Sequence, residues 1–514
     1  MDTPFTSTLI GQPSRSRLSA FQWRVWLPPV FLFGAGFGVA LALLLATSGF
    51  VSNDDYYHAR IAAQIMAQGR LRVDFPWLPL TILNDNAFVD HHLLYHLYLA
   101  PWMTWGGVPG AKVAQALVVG GLLVAVWVLL RSLGVRLAAV WTLGLLAVSA
   151  PFLYRMLMVR TQAAAVLLVV VSLYLLFQKR CRWLIVLGFA FTWLYNGFVL
   201  LPLVVFLYGA AVFMTERRLV WKPLAFVLLG TALGLVINPY FPQNISFIVN
   251  HLGEKVDLEG SIRVGNEWYP YTTRALLENS LGALLVMGAG LLAPGLRQRG
   301  RDAAETTLLL VAFITLYMLF ESRRFVEYFP AFALLFGAAA IGREGIDWQA
   351  YIPARLRKPA LLRLYPLVLL LPVLVLGART VTSAREDVLG AADVGYMAGA
   401  AAWLQANTPA GSLVFQTDWD DFTYLYFHNT HNTYLVGLDP TYLQVEDPNL
   451  WNIWVPITQG MVERPSVLIR ERFGAAYVVS DKQHEAFMTS ANGDPDMMLV
   501  YEDADSMVWQ VAEG

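Results

Sequence analysis

Long apolar runs separated by short polar breaks dominate the first three-quarters of this chain, and the first run, roughly Trp26 to Phe50, sets the pattern. It is too long for a signal-peptide core and has no small-residue cleavage site before its polar exit, so it reads as a retained signal anchor. Further apolar segments follow near 110–130, 137–151, 160–177, 184–196, 198–214, 222–241, 275–296, 304–320, 325–342 and 360–378, which predicts about eleven transmembrane helices in all. The stretch 184–214 reads either as one long tilted helix or as two short ones meeting at Asn196-Gly197; two keep the later loops on consistent sides. Beyond residue 380 the pattern changes. An alanine-rich helix to Asn407, a stop at Thr408-Pro409-Ala410-Gly411, a buried strand Ser412–Gln416, a second strand Ala475–Val479 and a hairpin of Leu499–Tyr501 with Met507–Val511 predict a small α/β domain.

Composition narrows the class. With 57% hydrophobic and 14% charged residues, 514 residues do not make a soluble globule, and the fold expected is a polytopic α-helical membrane protein with a C-terminal soluble α/β domain. We find no internal repeat and no low-complexity tract. The bilayer is the obvious partner, and nothing points to nucleic acid.

Charge then orients the chain. Arg15, Arg17 and Arg24 flank the first run with only Asp2 opposing them, so the N-terminus is expected in the cytoplasm. The loops that follow on the same side hold Arg131/Arg136, Lys179/Arg180/Arg182, Glu216/Arg217/Arg218, Arg297/Arg299/Arg301 and the stretch from Arg343 to Lys358, each with a basic surplus. This divides the chain into a cytoplasmic tail 1–25, a membrane domain 26–379 with external loops 51–109 and 242–274, and an exported domain 380–514. From Val381 onward there are 19 acidic and 5 basic residues, against 18 acidic and 31 basic before it. Anionic headgroups would repel so acidic a domain, which is therefore expected to stand off the membrane. The single cysteine, Cys181, falls in a predicted cytoplasmic loop and leaves the exported part without a disulfide.

Candidate chemistry sits just outside the first run, in Asn53-Asp54-Asp55-Tyr56-Tyr57-His58-Ala59-Arg60 and in Asp90-His91-His92. Ionisable groups at a membrane edge cost several kcal/mol each to bury, so such a knot is a functional candidate by default. Further along stand Glu267 in Asn266-Glu267-Trp268-Tyr269-Pro270, the pair Arg323-Arg324, and Asp418-Trp419-Asp420-Asp421-Phe422 in the soluble domain.

The Asn53–His58 segment resembles the first-loop aspartate motif of GT-C glycosyltransferases, most closely that of archaeal- and bacterial-type oligosaccharyltransferase catalytic subunits. The resemblance continues in chain order. Glu267 is similar to that family's late-loop glutamate, which contacts metal and acceptor; Arg323-Arg324-Phe325 is similar to its arginine at the outer end of a span. Trp403 to Pro409 and then Asp418–Phe422 lie where the family carries its WWDYG acceptor-recognition motif. Two departures stand out. The second acidic motif of the family lies in the second external loop, which here reads Tyr154-Arg155 to Arg160, while Asp90-His91-His92 is in the first; and of WWDYG only the Trp419-Asp420 pair survives. The architecture therefore carries over better than recognition of an asparagine sequon.

What the resemblance implies is a transferase that moves a sugar from a polyprenyl-phosphate or -diphosphate donor to a glycan, lipid or protein acceptor, on the outer face of a bacterial or archaeal plasma (inner) membrane. Asp54 or Asp55 would serve as general base, with Glu267 as a further catalytic carboxylate. Asp54, Asp90, His92 and Glu267 are the candidate ligands of a divalent ion, Mn²⁺ or Mg²⁺, of which Mn²⁺ suits mixed ligation better because imidazole is softer than oxygen; Asp90 and His92, one residue apart, face the same side of an extended segment. Arginine's planar fork suits phosphate, and Arg155, Arg160, Arg323 and Arg324 all lie on the predicted outer side, offering a metal-free way to neutralise it. Tyr57, His58, Trp268, Trp419 and Asp420 are candidate substrate contacts. Glu254, Asp257, Glu259 and Gly260 read as a solvated excursion able to close over a substrate.

Plainer readings stand beside these. Asp54 suits a helix N-cap for the amphipathic run Tyr56–Met66, and His91 a cap for Leu93–Leu99. His58 and His96 suit interfacial structural roles, and Trp268, Tyr269 and Tyr271 an aromatic belt. Arg323 or Arg324 could simply pair with Glu321 or Glu327, and the acids after the Ser412–Gln416 strand could cap a turn. At the level of the whole protein the alternatives are a transporter or flippase of a lipid-linked or anionic solute, and a non-catalytic assembly scaffold.

Overall fold

The computed structural model describes residues 16–84, 87–253, 265–296, 300–343 and 365–512. The excursion around Glu254–Gly260, the N-terminal residues before Ser16, and Arg297, Arg299 and most of the 343–358 stretch lie outside the described residues.

The membrane part is built from α1 (Ser16–Leu44), α2 (Asn53–Gln68), α3 (Leu93–Ser132), α4 (Ala138–Leu143), α5 (Ala150–Leu157), α6 (Gln162–Phe177), α7 (Leu184–Leu194), α8 (Leu200–Glu216), α9 (Lys222–Val236), α10 (Gln243–Gly253), α11 (Thr273–Leu292), α12 (Ala303–Glu321), α13 (Phe329–Gly342) and α14 (Tyr365–Leu389). All the apolar segments read from the sequence contain helix. Among the described residues, length and composition nevertheless admit five crossings, Trp26–Leu44, Leu93–Ser132, Asn196–Glu216, Thr273–Leu296 and Ala303–Glu321, or six if the bent α4–α5 pair is one span. Four of the other expected spans differ for a physical reason: α6, α7, α9 and α13 are apolar but only 10–17 residues long, short of the ~20 residues that cross a hydrocarbon core at 1.5 Å per residue.

Small residues let the helices approach closely. A Cβ on Gly36 of α1 would lie 3.2 Å from the Cα of Gly120 in α3, and one on Gly188 of α7 would lie 2.6 Å from the Val227 carbonyl of α9. At the other extreme, α13 is buried all round from Phe329 to Ala340 and forms the centre of the bundle.

Three breaks in the helices matter for the site. Helix α3 starts at Leu93, well before the apolar run at 110, and continues through a non-helical Gly107 between Pro101 and Pro109. The run near 137–151 is not one rod: after Leu146 the chain turns by 81° into α5, because Ser149 accepts the Phe152 amide and Pro151 restarts the helix. Between α7 and α8 the chain breaks at Asn196–Val199, as the Asn196-Gly197 pair suggested.

The C-terminal part holds a five-stranded mixed sheet of order β2-β1-β3-β5-β4. Strand β1 (Leu413–Gln416) pairs in parallel with β2 (Thr433–Tyr434) and β3 (Tyr477–Asp481), whereas β5 (Ser506–Val511) runs antiparallel to β3 and to β4 (Met497–Glu502). The hairpin turn is held by Asp503, whose carboxylate accepts the Asp505 and Ser506 amides.

This part does not stand off from the rest. Tyr57, Ile61, Phe75 and Phe88 of the first-loop segment share one buried core with Phe422, Tyr426 and Tyr434. Phe75 stacks on Phe88 at 4.2 Å, and the ring of Trp77 sits 4.9 Å from Tyr426. Trp77 also donates to the Thr430 carbonyl and accepts the Tyr434 amide, while Arg60 donates to the Thr430 hydroxyl. A fully buried aromatic of this size is worth about 1.5–3 kcal/mol, so these contacts fasten the C-terminal part to the first-loop segment.

Candidate functional site

The N-terminus of α2 is closed by Ser52, not by Asp54. The Asp55 carboxylate accepts the Ser52 amide at 3.2 Å, so Asp55 works from inside the helix start, wholly buried, with its pKa raised to about 7 by burial against the opposing pull of Arg160. Asp55, unlike Asp54, does not line the cavity described below. Asp54 is released from capping and reaches the guanidinium of Arg160, 2.8 Å away.

A cavity of about 300 Å³ opens between α2, the start of α3, the turns at 265–268 and 323–327, and the loop after β1. Of the residues singled out from the sequence, Asp54, Tyr57, His58, His92, Arg160, Glu267, Trp268, Arg324, Trp419 and Asp420 line it. Asp90, Arg155 and Arg323 do not.

An alternating chain of charges runs from behind one wall to the cavity surface. Glu327, fully buried, receives both Nε and Nη2 of Arg155 at 3.2 and 2.8 Å, and Nη1 of the same arginine reaches Glu267 at 2.5 Å. Glu267 is also held by Arg324 at 3.2 Å; Arg324 donates onward to the Tyr195 hydroxyl at 3.1 Å and lies 4.7 Å over the Trp268 ring. Burial pushes the Glu267 carboxyl up, but Arg324, Arg155 and Arg160 outweigh it and hold the group well below the ordinary carboxylate range. The Ser322 hydroxyl fastens the two turns together by donating to the Glu267 carbonyl. Arg323 has a different use: it donates to the carbonyls of Tyr269 and Pro270 and packs on the Tyr271 ring, tying the loop down from outside the cavity. Neither arginine takes Glu321 or Glu327 as its partner in an ion pair at 4 Å or less.

The opposite wall comes from the α/β domain. Asn53 donates to Asp420 at 2.8 Å, a contact across 367 residues that joins the first loop to the segment after β1. Burial, then the charges of Asp418 and Asp54, raise the Asp420 pKa to about 8, so near neutrality it is mostly a neutral acid with a proton to donate. Trp419 lies beside it.

The expected metal ligands are not gathered at one point. Asp90 is spent on two partners, the His92 amide at 2.9 Å and His96 Nδ1 at 2.7 Å; Asp54 is paired with Arg160; and Glu267 lies between two arginines. Among the described residues no group of three or more His, Cys, Asp or Glu side chains is placed to hold a metal ion. The donor set does not fit the four-ligand site, and no chemical step below depends on one. Sequence reading also missed Tyr195 as an arginine partner and His96 as a hydrogen-bonded link; only the adjoining Asn196-Gly197 break hinted that Tyr195 sits at a helix end.

A bundle of apolar helices with a broken segment carrying Arg155, a first-loop acidic helix and a C-terminal α/β part close one cavity. Solved structures bear out that fold. The chain is similar to the oligosaccharyltransferase of Archaeoglobus fulgidus in the apo form (TM-score 0.61, 14% identity, 94% of this chain and 74% of that one) and to the same organism's oligosaccharyltransferase AglB in complex with an inhibitory peptide and a dolichol-phosphate (TM-score 0.64, 14% identity, 96% and 75%). It is similar too to ArnT from Cupriavidus metallidurans bound to undecaprenyl phosphate (TM-score 0.57, 14% identity, 94% and 97%). No protein-family profile and no curated relative matches the sequence.

Proposed function

We propose that this protein is a GT-C-type glycosyltransferase that moves a sugar or oligosaccharide from a polyprenyl-phosphate or -diphosphate donor to a glycan, lipid or protein acceptor. It would act on the extracytoplasmic face of a bacterial or archaeal plasma membrane, with the bundle crossing about eleven times if the short apolar helices also span. The observation that carries the reading is the pairing of Asp54 with Arg160 in the same cavity as Glu267 with Arg324. The lipid phosphates named for two of the similar structures support an isoprenoid phosphate as the donor class.

The mechanism follows from what each pair does when a phosphate arrives. Arg160 and Arg324 donate charge-assisted hydrogen bonds to its oxygens, which carry more negative charge as the leaving group departs. Asp54 then gives up Arg160 to the phosphate and its carboxylate is free to accept a proton. The acceptor nucleophile attacks the anomeric carbon, its new bond forms as the carbon–oxygen bond to phosphate breaks, the phosphate leaves with the electron pair, and Asp54 takes the proton. Glu267 keeps Arg324 oriented until then, as Asp54 does Arg160. Asp420, carrying its proton, is a hydrogen-bond donor at the acceptor side.

Comparison of lipid-linked glycans in cells with and without the gene tests the assignment. Loss of the gene should cause one polyprenyl-linked sugar to accumulate and one glycosylated product to disappear. An unchanged product with the lipid-linked sugar trapped on the cytoplasmic leaflet would instead support a flippase.

A further inference from the structure

Three histidines, His58, His91 and His92, also line the cavity. His58 lies four residues after Asp54 on α2, on the same face of the helix. Behind it runs a buried chain: His58 Nδ1 meets His96 Nε2 at 2.7 Å, and His96 Nδ1 meets Asp90 Oδ2 at 2.7 Å, with the three residues 3%, 0% and 1% exposed. The chain has a direction. The Asp90 carboxylate already accepts the His92 amide through Oδ1, and with no N–H of its own it accepts again through Oδ2, so His96 Nδ1 is the donor. An imidazole carrying its single proton at Nδ1 is bare at Nε2; in that form His96 accepts from His58 Nδ1–H, and His58 in turn is bare at Nε2.

We infer that this chain is a tautomer lock for hydroxyl recognition: Asp90 and His96 fix His58 with an Nε2 lone pair that accepts a hydrogen bond from a sugar or acceptor hydroxyl in the cavity. The identity of the ligand rests on the glycosyl-transfer reading; the lock does not. Burial, with His96 and Arg160 nearby, holds the His58 imidazole well below its ordinary pKa, and an imidazole with a bare Nε2 accepts from a hydroxyl. His92 adds to the same wall. Its ring lies 4.8 Å from that of His58, and its Nδ1 is buried with no protein partner among the described residues.

Nitrogen-15 NMR of histidine-labelled protein in lipid nanodiscs reads the lock directly, with His58→Gln used to assign the signal. Wild type should show His58 protonated at Nδ1 and bare at Nε2, and Asp90→Asn should mix the tautomers; a His58 protonated at Nε2 in wild type overturns the inference. The second measurement uses undecaprenyl phosphate, which carries no sugar, beside labelled undecaprenyl-phosphate sugars. His58→Phe and Asp90→Asn should leave affinity for the bare phosphate unchanged and raise a KM by roughly three- to tenfold, the equivalent of one neutral hydrogen bond, with His58→Gln restoring it because its amide oxygen takes the place of Nε2. A rise in donor KM assigns the hydroxyl to the donor sugar, and a rise in acceptor KM to the acceptor. Equal losses for bare and sugar-bearing lipid, unrescued by His58→Gln, would mean a packing role and overturn the inference. Failure of wild type to bind undecaprenyl phosphate counts against the lipid-phosphate donor alone, and the NMR result then decides the lock.

Discussion

Arg160 and Asp54 face each other at 2.8 Å on the wall of the cavity, both largely shielded from solvent. The pair explains how one carboxylate of an adjacent pair is kept for chemistry. Asp55, next in sequence, turns inward to close the helix, and Asp54 is left with a partner that a phosphate can take away.

Asp54→Asn should therefore lower turnover by about a hundredfold or more, the usual range for losing a general base, while undecaprenyl phosphate still binds. Asp55→Asn should act on stability first, because its carboxylate holds the Ser52 amide. Steady-state kinetics and thermal melting of both variants separate the two; near-normal turnover in Asp54→Asn would rule out the base assigned here.

The two neighbouring arginines should behave differently. Arg324→Ala removes a donor from the cavity and should weaken binding of the lipid phosphate by roughly ten- to a hundredfold, about 1.5–3 kcal/mol for a charge-assisted hydrogen bond. Arg323→Ala loosens the loop at Tyr269 and Pro270 and should change affinity far less. A neutral polyprenol should not sense Arg324→Ala; equal losses for polyprenol and phosphate would point to packing.

Asp420 gives a pH signature. Its pKa is raised to about 8 in the folded protein, so between the ordinary carboxylate value near 4 and about 8 the folded state holds a proton that the unfolded state has released. Its contribution is present at low pH and is lost as pH rises through that window. Asp420→Asn keeps an acceptor for Asn53 without the titration, so the melting temperature of wild type relative to the variant should fall between pH 5 and pH 8. Parallel curves would show that Asp420 titrates as an ordinary surface acid.

Charge neutralisation by arginine also predicts the response to chelation. Turnover should survive excess EDTA after metal stripping, since Asp90 and Glu267 are committed to His96 and to arginines. Loss of activity restored by Mn²⁺ would mean that these carboxylates exchange partners to build a metal site.

Much of this was legible in the sequence because hydrophobic runs and turn residues act locally. The breaks at Asn196-Gly197 and the β4–β5 hairpin are such cases. Strand β2, only Thr433 and Tyr434, is too short to leave a period, and it is fixed by the Tyr434 amide bonding to Trp77 far away in the chain. The site follows the same division. Asp54, Glu267 and Arg324 stood out by residue type at a membrane edge, but nothing local distinguishes Asp54 from Asp55 or Arg324 from Arg323; which one faces the cavity is set by helix phase and by the partners that tertiary packing supplies. The Asp90–His96 contact turned an expected metal ligand into a hydrogen-bond acceptor, and only the fold brings His58 to the end of that chain.

The central claim is bond cleavage driven by Asp54 in the arginine-lined cavity. It is tested most directly by reconstituting the purified protein in liposomes with a panel of radiolabelled polyprenyl-phosphate sugars and measuring release or transfer of the sugar by wild type and by Asp54→Asn. Time-dependent release by wild type, reduced about a hundredfold or more in Asp54→Asn with lipid-phosphate binding retained, is the result expected. Movement of intact labelled lipid between leaflets with no sugar released by either protein would contradict it.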